Sequence, residues 1–326
     1  MRELIVAIIT LIVGFIFLIK GADFFVDGSA SVAKRLRVPS IIIGMTVVAM
    51  GTSLPECAVS VTASITNNNS LAVSNAVGSN IFNLMVVCGI CALFTPLAVQ
   101  KDTLKRDLPF SIVVAALLLV LGYFGKALGR LDGVILLAVF VVFLVIMVKS
   151  ALKARKEGES FETELEEEDE EIGEEVKILP IWKCVVFIVG GAIAIAIGGD
   201  AVVNGASVVA AQFGLSQTLI GLTIVSVGTS LPELVTSIVA ARKNEVDMAL
   251  GNVIGSNIFN ILFVLGIAAA ISPIQFITEN MIDIVLLIFM SLEVCFFAQS
   301  KKKLTRGEGI VMLLVYAVYM VYICRR

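Results

Sequence analysis

The chain of 326 residues contains no histidine and one tryptophan. It therefore lacks the commonest general base, the commonest zinc ligand and the side chain that changes charge near neutral pH. No nucleophile stands with a base in a catalytic pattern, and no glycine-rich loop suits a phosphate, so the chain does not read as an enzyme. Charged residues make up only 16%, and there are seven prolines. The six cysteines (Cys57, Cys88, Cys91, Cys184, Cys295, Cys324) lack the spacing of a secreted disulfide framework. Cys88-Gly-Ile-Cys91 has redox spacing, but with apolar neighbours and no histidine it reads as helix packing.

What the chain has in excess is hydrophobicity: 58% apolar residues and a mean hydropathy of +1.01. Runs long enough to cross a bilayer follow one another from end to end. The expected fold class is an all-α polytopic membrane protein, and the apolar run after Arg2 reads as its first span rather than a cleaved leader. The net charge of −3 averages two unlike parts. About twelve Asp and Glu lie between Glu157 and Glu175 with no Lys or Arg among them, as in a solvated tether. The expected organisation is a five-helix repeat over 1–150, an acidic cytoplasmic linker over 151–179 and a second five-helix repeat over 180–326.

The repeat is written in the sequence. Gly51-Thr52-Ser53-Leu54-Pro55-Glu56 recurs as Gly228-Thr229-Ser230-Leu231-Pro232-Glu233, and Gly78-Ser79-Asn80-Ile81-Phe82-Asn83 recurs as Gly255-Ser256-Asn257-Ile258-Phe259-Asn260. From Gly21 against Gly198, about 27 of 63 positions are identical without a gap. Matching loops carry opposite charge: Lys34, Arg35 and Arg37 align with Ala211, Gln212 and Gly214, whereas Ile65 and Thr66 align with Arg242 and Lys243. With the N-terminus outside, about 18 Lys and Arg fall on the cytoplasmic side and about five outside, the positive-inside bias. Ten spans result, as two inverted-topology repeats of five, with both termini outside the cell membrane and the linker in the cytoplasm.

A carboxylate at the bilayer centre costs about 2.5–3.5 kcal/mol on insertion scales. Glu56 and Glu233 each lie in an apolar span with no basic residue at comparable depth, so the expectation is that they meet and share a cation. Pro55 and Pro232 each remove a helix hydrogen bond and free nearby carbonyls. On a continuous helix Thr52 and Ser53 lie on the face of Glu56, and Thr229 and Ser230 on that of Glu233. The rows Asn75–Ser79–Asn83 and Asn252–Ser256–Asn260 make polar stripes on otherwise apolar helices. Carboxylate, hydroxyl, amide and carbonyl oxygens are what calcium takes, and sodium can use a subset. Ser60 and Ser237 read as helix–helix glue. Asp23 and Asp200 are repeat-matched and read as caps or gate-edge residues near the ends of their helices rather than as ion ligands.

On these motifs the chain resembles the sodium/calcium exchanger family of the calcium/cation antiporter superfamily, near its compact prokaryotic YrbG-type members. The resemblance implies ten helices, four cation sites in a diamond, and exchange of sodium for calcium by alternating access. Helices 1 and 6 would slide as a pair against the other eight. It makes Glu56 and Glu233 calcium carboxylates, with Thr52 and Thr229 adding carbonyls. Ser53, Ser79, Ser230 and Ser256 would serve sodium, near the carbonyls of Ala49 and Ser226. The duplication of Asn83 and Asn260 favours them as ligands too. In the potassium-dependent branch an Asp stands where this chain has Asn260, so potassium coupling is not implied. Calcium and sodium are cargo, no cofactor is called for, and the bilayer is the other partner. Nothing points to nucleic acid, and a monomer is compatible with the pattern. The alternatives are calcium/proton antiport and a cation channel.

Overall fold

The computed structural model describes residues 2–66, 70–165, 179–214 and 226–325; for 2, 70, 71, 157–165 and 226 the backbone alone is described. The helices in chain order are α1 (Arg2–Leu36), α2 (Ser40–Thr52), α3 (Leu54–Ile65), α4 (Ala72–Phe94), α5 (Thr103–Gly125), α6 (Arg130–Leu165), α7 (Ile181–Gln212), α8 (Ser226–Gly228), α9 (Leu231–Arg242), α10 (Val246–Ile271), α11 (Thr278–Lys301) and α12 (Arg306–Arg325). Among the described residues, eight helices are long and apolar enough to cross a membrane, or nine if the bent pair α2–α3 is one span. The stretch expected to begin the seventh span, 215–225, lies outside the described residues.

Burial sorts the helices into layers. The richest spanning windows of α4 and α10 are 78% buried, whereas those of α1, α6, α7 and α12 are 17–28% buried. Exposed Ile, Val, Leu and Phe cover the outer helices, as a lipid-facing surface requires. The sequence-matched helices α1 and α7 run antiparallel. In α1 and α7 glycines recur every seven residues at matched positions, Gly14, Gly21, Gly28 and Gly191, Gly198, Gly205. A Cβ on Gly14 would meet the Gly198 carbonyl at 2.9 Å, one on Gly191 the Gly21 carbonyl at 2.7 Å, and one on Gly205 the Ala7 carbonyl at 2.8 Å. Only hydrogen at these positions lets the two backbones lie this close.

Short strands tie loops of the two sequence halves together. β1 (Leu97–Ala98) pairs antiparallel with β4 (Lys303–Leu304), and β2 (Ala127–Leu128) with β3 (Ile274–Gln275). Lys126 and Lys302, both left-handed with φ of 48° and 53°, end α5 and α11 and lead into β2 and β4.

Several boundaries differ from the sequence reading. α1 runs unbroken to Leu36, about 52 Å at 1.5 Å per residue, longer than a bilayer core, so Asp23 lies inside a helix rather than at its end. Its charge is met by Lys20 at 3.6 Å and by Lys243, at the end of α9, at 3.4 Å; Lys243 also pairs with Asp27 at 2.8 Å. Asp200 likewise lies within α7. α6 continues to Leu165, past the expected boundary at 150, and the rest of the acidic run, 166–178, lies outside the described residues.

Candidate cation-binding site

The duplicated signature breaks its helix at the serine. α2 and α3 meet at a 49° bend, with Ser53 at φ −85° and ψ 11° between them. Ser230 takes the same conformation before α9, at φ −93° and ψ 5°. Leu54-Pro55 and Leu231-Pro232 then open new helices, where proline's missing N–H costs nothing. Glu56 and Glu233 thereby fall in first helical turns, where free amides and the helix dipole favour negative charge.

The bend changes the partners expected from a continuous helix. Ser53 does not serve Glu56; its Oγ donates to Glu233 Oε1 at 2.7 Å, and Ser230 Oγ donates to Glu56 Oε1 at 3.2 Å. Ser79 Oγ donates to that same oxygen at 3.4 Å and stands 3.0 Å from Ser230 Oγ. Thr52 Oγ1 donates to Asn252 Oδ1 at 3.1 Å, again across the halves. The two glutamates thus sit in one buried polar centre, each held by a hydroxyl from the other half.

Around it the polar stripes of α4 and α10 lock the broken helices in place. Asn75 Nδ2 donates to the Glu56 carbonyl at 3.4 Å and to Ser60 Oγ at 3.2 Å. Asn252 Nδ2 does the same to Glu233 at 3.4 Å and Ser237 at 2.9 Å. Ser60 and Ser237 are therefore interhelical fastenings. π-turns begin at Asn83 in α4 and at Asn260 in α10, each opened by an i→i+5 bond from the amide of Cys88 or Leu265. Such turns re-aim side chains and recur at functional positions.

Glu56, Glu233, Thr52, Ser53, Ser230, Ser256, Asn83 and Asn260 are all fully buried, and Ser79 nearly so. Among the described residues no lysine or arginine is buried. Six buried oxygens of the signature residues have no hydrogen-bond partner among the described residues: Glu56 Oε2, Glu233 Oε2, Asn83 Oδ1, Asn260 Oδ1, Thr229 Oγ1 and Ser256 Oγ. The first four are pure acceptors and form two sequence-matched pairs. A buried acceptor without a donor costs about 1–3 kcal/mol, and more when charged. An all-oxygen set with two carboxylates fits a hard cation and offers no nitrogen or sulfur for zinc or copper. The Ala49 carbonyl accepts from the Ser53 amide at 3.1 Å and keeps a second lone pair. Ser226 begins α8, and its side chain lies outside the described residues.

Two residues that the sequence reading passed over are central here. Asn80 and Asn257 bridge α4 and α10, each donating to the other's main-chain carbonyl, at 3.0 and 3.2 Å. Their signal was available, since both stand inside the duplicated motif and neither is apolar.

Gly51 and Gly228 bring α1 and α7 against this centre. A Cβ at Gly51 would meet the Phe25 ring at 2.6 Å, and one at Gly228 would meet Val203 at 2.1 Å. The close-packed α1–α7 pair therefore lies directly over the first residue of each signature.

The same plan is found in known proteins. The inner membrane protein YrbG of Escherichia coli is 40% identical over 272 residues, covering 83% of this chain and 81% of its own. The sodium/calcium exchanger MaX1 of Methanosarcina acetivorans is 31% identical over 338 aligned positions, covering 95% and 96%. A crystal of the sodium-calcium exchanger NCX_Mj soaked with sodium and strontium has a similar fold, with a TM-score of 0.82, 32% identity, and coverage of 98% and 99%. The family profile described as sodium/calcium exchanger protein matches residues 6–149 and 183–325. Signatures, buried oxygens and relatives agree: this integral membrane chain belongs to the sodium/calcium exchanger protein family.

Proposed function

We propose that the protein is a secondary active antiporter that exchanges sodium for calcium by alternating access, and that the exchange is electrogenic. The observation that carries this reading is the pair of buried carboxylates, Glu56 and Glu233, each with one oxygen that makes no hydrogen bond among the described residues. Two fixed negative charges are balanced by one calcium or by two to three sodium ions, and scarcely by both together. With no cation the centre holds two uncompensated carboxylates in a low-dielectric barrier, a state that costs several kcal/mol. That penalty forbids the empty site from crossing and so enforces exchange. When three sodium ions replace one calcium, one net charge moves per cycle.

The chain forms ten spans in two inverted five-helix repeats, with the termini outside and the acidic linker in the cytoplasm. Support comes from the antiparallel course of the matched pairs α1–α7 and α4–α10, and from the exchanged partners Ser53–Glu233 and Ser230–Glu56. The α1–α7 pair is the moving unit, since it is joined along its length by glycines and meets the signatures through Gly51 and Gly228. Relatives named as sodium/calcium exchangers support sodium as the coupling ion.

The test is radioactive calcium uptake into proteoliposomes loaded with sodium and diluted into sodium-free medium, with potassium-loaded vesicles as control. Uptake should require internal sodium, rise with an inside-positive diffusion potential, and vanish in Glu56→Gln and Glu233→Gln. Uptake driven by a pH gradient and indifferent to sodium overturns the sodium reading; full activity in Glu56→Gln overturns the two-carboxylate mechanism.

A further inference from the structure

We propose that Asn80 and Asn257 are positioning residues that decide which atom of Asn83 and Asn260 faces the cation; this rests on reading the centre as a calcium and sodium site. Hydrogen-bond polarity dictates the arrangement. Asn80 Nδ2 donates to the Asn257 main-chain carbonyl and Asn257 Nδ2 to that of Asn80. A carbonyl only accepts, so each side-chain amide is held with its nitrogen toward the opposite backbone. Its Oδ1 then points the other way and can be met only by a donor. Those donors come from the neighbouring asparagines: Asn260 Nδ2 reaches Asn80 Oδ1 at 3.1 Å, and Asn83 Nδ2 reaches Asn257 Oδ1 at 3.3 Å.

With their nitrogens engaged, Asn83 and Asn260 must present Oδ1 on the other side, and those two oxygens have no donor among the described residues. All four asparagines are 5% exposed or less. An unrestrained amide can turn either its NH2 or its C=O to a cation, and only the C=O attracts one. The Asn80–Asn257 clasp removes the wrong choice before the ion arrives, which is preorganisation of a ligand shell. Each clasp residue acts on the opposite sequence half, Asn80 on Asn260 and Asn257 on Asn83.

A double-mutant cycle separates orientation from packing. Calcium affinity is read on the purified full-length protein by equilibrium binding of radioactive calcium, and by the half-saturation of sodium-dependent uptake. Asn80→Ala is expected to weaken calcium binding about tenfold, the order of one lost contact to a charged group. Asn260→Asp has two acceptor oxygens and no nitrogen to hold, and its carboxylate faces Asn80 Oδ1 acceptor to acceptor. In that background Asn80→Ala should leave calcium affinity unchanged or improve it. Equal losses in both backgrounds overturn the proposal, as does wild-type binding by Asn80→Ala. The mirror cycle, Asn257→Ala with Asn83→Asp, gives an independent reading if Asn80→Ala does not fold. A parent protein that neither binds calcium nor shows sodium-dependent uptake refutes the cation-site reading itself, not the clasp.

Discussion

Two adjacent glycines of α7 offer a controlled test of the close seam with α1. An alanine at Gly191 would place its Cβ 2.7 Å from the Gly21 carbonyl, 2.8 Å from the Phe25 nitrogen and 2.9 Å from Phe25 Cβ. An alanine at Gly190 would meet nothing within 4 Å among the described residues. Both changes gain the same intrinsic helix preference, about 1 kcal/mol, so that contribution cancels between them. What remains is the clash. Its contacts include main-chain atoms, which cannot rotate aside, and the two helices must separate. Overpacking of this kind costs about 1–3 kcal/mol, and Gly191→Ala should be less stable than Gly190→Ala by that amount. With a few degrees of melting temperature per kcal/mol, the variants should melt several degrees apart. The assay is thermal unfolding of the purified protein with a thiol-reactive fluorophore, since Cys88, Cys91 and Cys184 are each about 1% exposed until the fold opens. If Gly191→Ala melts with or above Gly190→Ala, the seam is not as close as described.

Three further outcomes follow from other parts of the structure. Cysteines introduced singly at Ala98 and Lys303 should label together from the cytoplasmic side of intact cells, and those at Ala127 and Gln275 together from outside; same-side labelling of all four would defeat the inverted topology. Arg106 Nε lies 2.7 Å from the buried Asp107 carboxylate, and its Nη1 donates to Ser150 at 2.6 Å, so Arg106→Met should cost about 1–3 kcal/mol and destabilise more than Asp107→Asn. The reverse order in thermal melts would show that the pair is not held by its charge. Lys243→Met removes partly exposed pairs to Asp23 and Asp27, worth at most about 1 kcal/mol, and its effect on melting should shrink in 1 M choline chloride. A salt-independent loss would assign Lys243 a packing role instead.

The membrane class, the duplication and the two glutamates were legible because each is a matter of composition or literal recurrence. The partners of Glu56 and Glu233 were not. Three- and four-residue spacing assigns Ser53 to Glu56 on a straight helix, but non-helical dihedrals at Ser53 and a 49° bend hand it to Glu233 instead. Nothing local records that exchange, since it depends on how residues about 180 apart meet. Asn80 and Asn257 were visible as letters of a motif, but their reciprocal bonds need both helices in place. The length of α1 was hidden for a different reason. Lys20, Asp23 and Asp27 look like the polar edge of a span until Lys243, far away in sequence, supplies the countercharge. Strands of two residues leave too little pattern to read at all.

The exchanged serines also impose an order on biogenesis. Glu56 is synthesised 174 residues before Ser230, the hydroxyl that meets it, and Ser53 precedes Glu233 by 180. A nascent first half therefore enters the bilayer with Glu56 met by the Ser79 hydroxyl alone, before Ser230 has been made. The hydrophobic spans hold that acid there until the second half arrives, so insertion precedes assembly of the centre. A chain interrupted between the halves leaves Glu56 without the Ser230 hydroxyl, which only the second half supplies.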